Sequence, residues 1–167
     1  DSSISEDEIK YIRDLLVYSA ITSSVSNITS GDAKNDQRRY KCRNITKELI
    51  KILNDSTGSE FKLYQGNASI TAAAYIPFRL EHIDFNFQLE IQPDFDEIVV
   101  DVNLICLQKS NFTKFEGLCT SLFGNNIKLE RFDSQLYAVL VNKEEIGLFN
   151  DYKTTDHDLA KKCYEFV

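Results

Sequence analysis

Residues 83–106 contain two runs in which apolar and polar side chains alternate, and no other feature of the sequence constrains the fold as strongly. In the first run the apolar positions are Ile83, Phe85, Phe87, Leu89 and Ile91. The second run, at 98–106, repeats the pattern. Successive side chains of a strand point to opposite faces, so each run predicts a strand with one buried face and one wet face. The turn-forming residues 93–96 between the runs predict a long antiparallel hairpin.

Helical and strand patterns flank this hairpin on both sides. Ser5 and Glu8 have the spacing of a capping box, which predicts the start of an N-terminal helix. Apolar spacing predicts further helices at about 45–54, at 111–123 and from Thr155 onwards. Shorter alternating runs predict strands at 61–63, 70–76, 127–132 and 136–141, with Pro77 closing the second of them. The polar residues 30–43 predict a loop.

This order of elements predicts an α+β fold. We expect a mostly antiparallel sheet of about five or six strands, built from hairpins, with N-terminal, central and C-terminal helices packed on one face. A chain of 167 residues has the size of one domain, so residues 1–167 are interpreted as a single α+β domain. The element order is also similar to that of bacterial secretion chaperones, although no motif is shared.

The charge and hydropathy of the chain argue against two large classes of function. The chain is acidic, with a formal net charge of −7 and a pI of about 4.9. We therefore expect no binding to nucleic acid, whose phosphates attract basic proteins. No apolar run approaches the ~20 residues of a membrane-spanning helix, so we expect no membrane insertion either.

Five Asn-x-Ser/Thr sequons favour a secreted or surface-exposed glycoprotein. They begin at Asn27, Asn44, Asn54, Asn67 and Asn111. Chance would give roughly two sequons, although Asn, Ser and Thr also gather at turns and helix caps. The sequence contains no Met, so we expect a processed or trimmed product. The alternative location is the cytoplasm.

Two interpretations of the cysteines remain open at this point. The chain has four of them, Cys42, Cys106, Cys119 and Cys163, and their spacing matches no zinc module. In a secreted protein they are disulfide candidates, and the pairings we favour are Cys106–Cys119 and Cys42–Cys163. As free thiols they would instead be buried, because cysteine packs as a small hydrophobic residue.

The sequence shows no arrangement typical of an enzyme or a metal site. His82 and Asp84 would share one strand face as a minimal acid–base pair, but no nucleophile motif accompanies them. His157 lies at the start of the last predicted helix, where solvated polar residues are common. The acidic residues at 94–101 lack the spacing and the glycine of a calcium-binding loop. We therefore expect a non-enzymatic protein with no catalytic residues, no metal and no cofactor.

A basic stretch interrupts the acidic chain and is the candidate interaction site. Its members are Arg38, Arg39, Tyr40, Lys41 and Arg43. Arginine and tyrosine are common at the energetic hot spots of protein interfaces. The ordinary alternative is a solvated loop in front of a helix.

A second candidate surface is the outward face of the long hairpin. Val99, Ile105 and Leu107 would lie on it, either covered by another element or exposed as an apolar patch. We expect a protein-binding domain of a secreted or surface-exposed protein, with another protein as its partner. The alternative is an intracellular adaptor or chaperone-like module that forms a homodimer, or holds a partner, through its sheet face.

Overall fold

A computed structural model describes residues 5–14 and 30–167, and the contacts of the chain divide it into two compact units, 1–37 and 38–167. Helix α1 includes residues 6–14. The Ser5 N–H donates to Oε2 of Glu8 at 3.1 Å, and the Glu8 N–H donates to Oγ of Ser5 at the same distance. The predicted capping box is therefore confirmed. The interpretation of 1–167 as a single domain stays a prediction.

Three further α-helices lie within residues 30–167. They are α2 (Ser30–Thr57), α3 (Phe112–Phe123) and α4 (Asp156–Tyr164). A single 3₁₀ turn, Lys109–Asn111, precedes α3. The Oγ1 of Thr155 accepts a hydrogen bond from the Asp158 N–H at 3.1 Å and so caps α4 at the predicted position. The loop predicted at 30–43 is wrong, because α2 already begins at Ser30.

In the described part of the chain, six strands form one antiparallel sheet. They are β1 (Lys62–Tyr64), β2 (Ala72–Leu80), β3 (Ile83–Asp94), β4 (Glu97–Cys106), β5 (Lys128–Phe132) and β6 (Gln135–Leu148). Their spatial order is β1-β2-β3-β4-β6-β5. Strand β6 therefore lies between β4 and β5, although it follows β5 in the sequence. Helices and an antiparallel sheet in this arrangement confirm the predicted α+β class.

The long hairpin forms as its alternation predicts. Asp94 pairs with Glu97, so β3 and β4 are joined by a tight turn at Phe95 and Asp96. The preceding hairpin, β2–β3, also has a two-residue turn. Its residues are Glu81 and His82, and both have positive φ. Positive φ at both central positions is the geometry of the type I′ turn, whose twist matches that of antiparallel strands.

Strand β2 continues through the proline that was predicted to end it. Pro77 pairs with Asn86 of β3, and β2 extends to Leu80. Strand β1 pairs with β2 only as far as Tyr75, so β2 has a single neighbouring strand at Pro77. Proline lacks an N–H donor and is tolerated where one edge of a strand is not paired.

Helices α2, α3 and α4 pack on the same face of the sheet, within residues 38–167. Side chains of α2 and α4 form one buried cluster with alternate residues of β2, β3 and β4, including Leu49, Leu89 and Leu159. Side chains of α3 form a second buried cluster with the first residues of β3 and the last residues of β4, and this cluster includes Phe115 and Phe85. The alternation at 83–91 thus places every second side chain against helices and leaves the others on the opposite face.

Candidate functional site

The face of the sheet opposite these helices carries a row of polar side chains, which we call the polar sheet face. It is formed by Asn86, Gln88 and Glu90 of β3 and by Asp101 and Asn103 of β4. Gln88 pairs directly with Asn103, and Glu90 pairs directly with Asp101. The face follows from the period of two along both strands, which turns these residues away from the helices.

Two hollows on the polar sheet face meet at Glu90 and Tyr137. The first has a volume of about 470 Å³ and includes Tyr64 and Tyr75 in its lining. The second has a volume of about 490 Å³ and includes Phe132. Because both are lined by Glu90 and Tyr137, they form one elongated surface that extends from β1 to β5.

Hydrogen bonds hold the two carboxylates of the site in place. Gln88 Nε2 donates to Oε1 of Glu90 at 2.8 Å. Gln92 Nε2 donates to Oδ2 of Asp101, and the Lys143 N–H donates to Oδ1 of Asp101 at 2.6 Å. The carboxylates are therefore anchored by neutral donors.

The electrostatics of the site favour a protonated carboxyl at Glu90. Burial, with a smaller contribution from the neighbouring Asp101 charge, raises the pKa of Glu90 to about 7. Burial also raises the pKa of Asp101, although its hydrogen bond from the Lys143 backbone acts in the opposite direction. Burial, aided by the Glu90 charge, raises the pKa of the Tyr137 hydroxyl. The site thus holds a carboxyl group that titrates close to neutral pH.

The outward residues of β4 are mostly covered by neighbouring strands. Val99 and Ile105 are buried, whereas Leu107 is 48% exposed beside the first hollow. Strand β4 is central, between β3 and β6, and its residues 98–106 are buried on both faces. Of the three apolar residues predicted for this face, two are therefore covered and Leu107 is exposed.

The basic stretch makes contacts within the fold. Arg38 forms an ion pair with Asp96 at 3.1 Å, donates to the Phe95 carbonyl and lies 4.7 Å from the ring centroid of Phe149. Arg39 donates to the carbonyls of Gly66 and Ser69.

The remaining members of the stretch divide into internal and outward residues. Lys41 forms an ion pair with Asp156 at 2.6 Å, which joins α2 to α4. Tyr40 is 63% exposed, and Arg43 is half-buried. Three of the five members thus position α2, and the interaction role of the stretch stays a prediction.

The sequons differ in what their asparagine side chains do. Asn44 and Asn67 are exposed, on α2 and on the loop before β2 respectively. Asn54 Oδ1 accepts from the Phe61 N–H at 2.7 Å, and Asn111 Nδ2 donates to Gln108 at 2.9 Å. Asn27 lies outside the described residues.

The disulfide prediction is wrong for this structure, because all four cysteines are buried and free. Cys42 and Cys163 lie in the cluster of α2 and α4, whereas Cys106 and Cys119 lie in the cluster of α3. Burial raises the pKa of Cys42 and of Cys163 to about 12 and that of Cys119 to about 11. These thiols are protonated at neutral pH and pack as small apolar side chains.

The remaining candidates for chemistry lie outside the lining of both hollows. His82 is in the β2–β3 turn, and Asp84 faces Arg79 with 3.9 Å between Oδ1 and Nε. His157 Nδ1 lies 3.3 Å from Oε2 of Glu48 and joins α4 to α2. Within residues 5–14 and 30–167, no group of three or more His, Cys, Asp or Glu side chains is placed to hold a metal ion.

Sequence reasoning missed Glu90 and Tyr137 as members of a site. The alternation at 83–91 places Glu90 on the wet face, where a carboxylate is ordinary. Its unusual environment depends on the register that places it opposite Asp101, and on β6, which brings Tyr137 from a distant part of the chain. The sequence signal that could have identified the site is the presence of two acidic residues, Glu90 and Asp101, on the outward face of one predicted hairpin.

Comparison with protein-family models, with curated proteins and with solved structures finds no match. Among the helices that the structure describes, none has the length and apolar character needed to cross a membrane.

Proposed function

We propose that this chain is a non-enzymatic protein-binding domain that holds its partner on the polar sheet face. The observation that carries the proposal is the elongated surface formed by two hollows that share Glu90 and Tyr137. Tyr64 and Tyr75 add aromatic side chains to its lining. Tyrosine is enriched at protein interfaces because it buries a large apolar ring and keeps a polar hydroxyl.

The distribution of polar groups supports a macromolecular partner. A small-molecule site typically has a few polar groups that converge on one point. Here the side-chain amides of Asn86, Gln88, Gln92 and Asn103 are distributed along two strands. Such a row suits an extended chain, whose own amides and carbonyls repeat at regular intervals.

The chemistry of the potential nucleophiles supports the non-enzymatic part of the proposal. The thiolate is the reactive form of cysteine, and burial raises the pKa of each thiol. His82 and His157 lie in a turn and on α4, outside the lining of both hollows. The polar sheet face therefore offers recognition groups without an activated nucleophile.

Panning a display library of linear peptides against the whole chain tests the proposal. Peptides selected on the native protein are then measured by calorimetry against the double variant Asn86→Arg/Gln88→Arg, which places long side chains in the first hollow. The matched control is Thr113→Arg/Glu116→Arg, which changes two exposed positions of α3 on the other side of the sheet. We expect at least tenfold weaker binding to the face variant and unchanged binding to the control. Selected peptides that bind both variants like the native chain would refute the proposal.

The setting of the domain is a separate part of the proposal. A secreted or surface location is supported by the sequons, of which Asn67 is exposed in a loop, the usual place of a glycan acceptor. We expect glycosidase treatment of the protein from its natural source to lower its mass, and an Asn67→Gln variant to lose most of that shift. An unchanged mass would exclude glycosylation and refute this setting.

The four free thiols favour the alternative, an intracellular adaptor or chaperone-like module. Reducing compartments keep cysteines free, whereas secreted domains use them in disulfides. Such a module would dimerise or hold its partner through the same sheet face. Light scattering that gives twice the chain mass of 19.2 kDa, and a return to that mass in the Asn86→Arg/Gln88→Arg variant, would support a homodimer through this face.

A further inference from the structure

Two carboxylates lie at and beside the junction of the hollows, and the charge of Lys143 acts on Asp101 without forming an ion pair with it. Glu90 and Asp101 lie opposite each other on β3 and β4, and both line the second hollow. In the described part of the chain, no ion pair joins either carboxylate to a basic side chain. A pair of like charges in a half-buried position is unfavourable unless an opposite charge approaches it.

The charged and titratable groups around Glu90 come from three other strands. The charge of Asp101 on β4 acts on Glu90, and the charge of Glu90 acts on Tyr137 of β6. From β5, Glu130 and Lys128 also line the second hollow, but Lys128 Nζ is bonded to Oε1 of Glu130 at 2.8 Å. Lys143 of β6 donates its backbone N–H to Asp101, and its side-chain charge also favours the ionised form of Asp101. Once Glu90 is ionised, the lining of the second hollow contains three carboxylates and two lysines, so its balance of charge is negative.

We propose that the junction of the two hollows binds a lysine or arginine side chain carried by an extended segment of the partner protein. This inference rests on the proposed function and specifies its ligand. The charge of the carboxylates complements a cation, and Tyr137 beside them offers an aromatic ring of the kind that attracts one. The amides of Asn86 and Gln88 lie along the first hollow, where the backbone of an extended segment would pass.

Binding of a cation at this position links affinity to pH. The free protein holds much of Glu90 protonated near neutral pH, because burial and Asp101 raise its pKa to about 7. A bound cation favours the ionised carboxylate, so binding releases a proton from Glu90. Affinity for a basic segment therefore increases as pH rises from about 6 to about 8.

The experiment uses the whole chain and the peptides selected on it by panning. Each selected peptide is compared with a version in which its lysine or arginine is replaced by norleucine, which keeps the aliphatic stem and removes the charge. Both versions are titrated into the native protein, into Glu90→Gln and into the control Glu116→Gln, an exposed carboxylate of α3. The amide introduced by Glu90→Gln keeps the size of the side chain and can still accept the hydrogen bond from Gln88.

The inference predicts a specific pattern of binding constants. The norleucine peptide and the Glu90→Gln variant each weaken binding about tenfold, and the two changes together weaken it little further, because both remove the same ion pair. Binding of the basic peptide to the native protein strengthens several-fold between about pH 6 and about pH 8, and this dependence is lost in Glu90→Gln. Glu116→Gln binds like the native protein.

Three results would contradict the cation site, and they differ in what they imply for the proposed function. Peptides that are blocked by Asn86→Arg/Gln88→Arg but tolerate norleucine and Glu90→Gln overturn the cation site and leave the proposed function intact. Peptides that bind the Asn86→Arg/Gln88→Arg variant as tightly as the native chain overturn both the cation site and the proposed function. Self-association of the native chain that Glu90→Gln or the face variant abolishes would identify a second copy as the occupant and would also overturn the inference.

Discussion

Replacing Glu90 with glutamine should stabilise the protein at alkaline pH. Glu90 has a pKa of about 7 in the folded chain, against an ordinary value of 4.5. A carboxyl whose pKa is raised by folding prefers the protonated form in the folded state, so stability is greatest below pH 4.5 and falls as pH rises through about 7. Glutamine is neutral throughout and removes this loss.

The structure sets the size of the effect. The interval between 4.5 and about 7, at ~1.36 kcal/mol per pH unit, corresponds to about 3 kcal/mol once Glu90 is fully ionised. The side chain is half-buried rather than fully buried, so solvent screening lowers the expected gain to about 2 kcal/mol. The gain requires that residue 90 keeps its hydrogen bond from Gln88 Nε2.

Urea unfolding of the native chain, Glu90→Gln and Glu116→Gln at about pH 5 and about pH 8 measures the effect. We expect Glu90→Gln to exceed the native chain in free energy of unfolding by about 2 kcal/mol at the higher pH and by much less at the lower pH. Glu116→Gln, on an exposed helix position, should stay within about 0.5 kcal/mol of native at both. A Glu90→Gln variant no more stable than native at the higher pH would show that Glu90 is ionised without cost, and the reasoning about the carboxylate pair would be wrong.

Three further predictions concern the helix face of the sheet. Gly147→Ala should lower the free energy of unfolding by about 1–3 kcal/mol, because a Cβ there would lie 2.5 Å from Cδ2 of the buried Leu159. Denaturant titrations measure this loss, and an unchanged midpoint would show that α4 shifts freely. Thr155→Ala should cost about 1 kcal/mol, since its hydroxyl caps α4 through the Asp158 N–H, and equal thermal melts would contradict that role. A thiol reagent at about pH 8 should label none of the four cysteines in the native chain and all four in denaturant, because burial keeps each thiol protonated and covered; fewer than four in denaturant would reveal a disulfide.

The parts of the fold that local patterns determine could be predicted from the sequence. The β3–β4 hairpin and α3 follow from periodicity, because their apolar residues face one core and nothing distant is needed to define them. The same is true of the Ser5 and Thr155 caps, in which the partners are three residues apart.

The parts that depend on distant contacts could not be predicted. The first half of α2 has no apolar period, and Arg38, Arg39 and Lys41 are held there by segments far along the chain. Strand β6 was expected to end at Val141 but continues to Leu148, because β4 pairs with its polar half across several register shifts. The same dependence on register hid Glu90, whose neighbour Asp101 is determined by the pairing of the two strands.

The position of β6 between β4 and β5 has a consequence for synthesis on the ribosome. Strands β1 to β4 form a meander of neighbours and can pair as they emerge. One edge of β4, with apolar residues such as Val102 and Leu104, stays open until about 30 more residues have been translated and β6 arrives. An open apolar edge is a template for pairing with another chain. We therefore expect nascent chains that stop before Gln135 to aggregate or to recruit chaperones, whereas chains that include Leu148 have closed this edge.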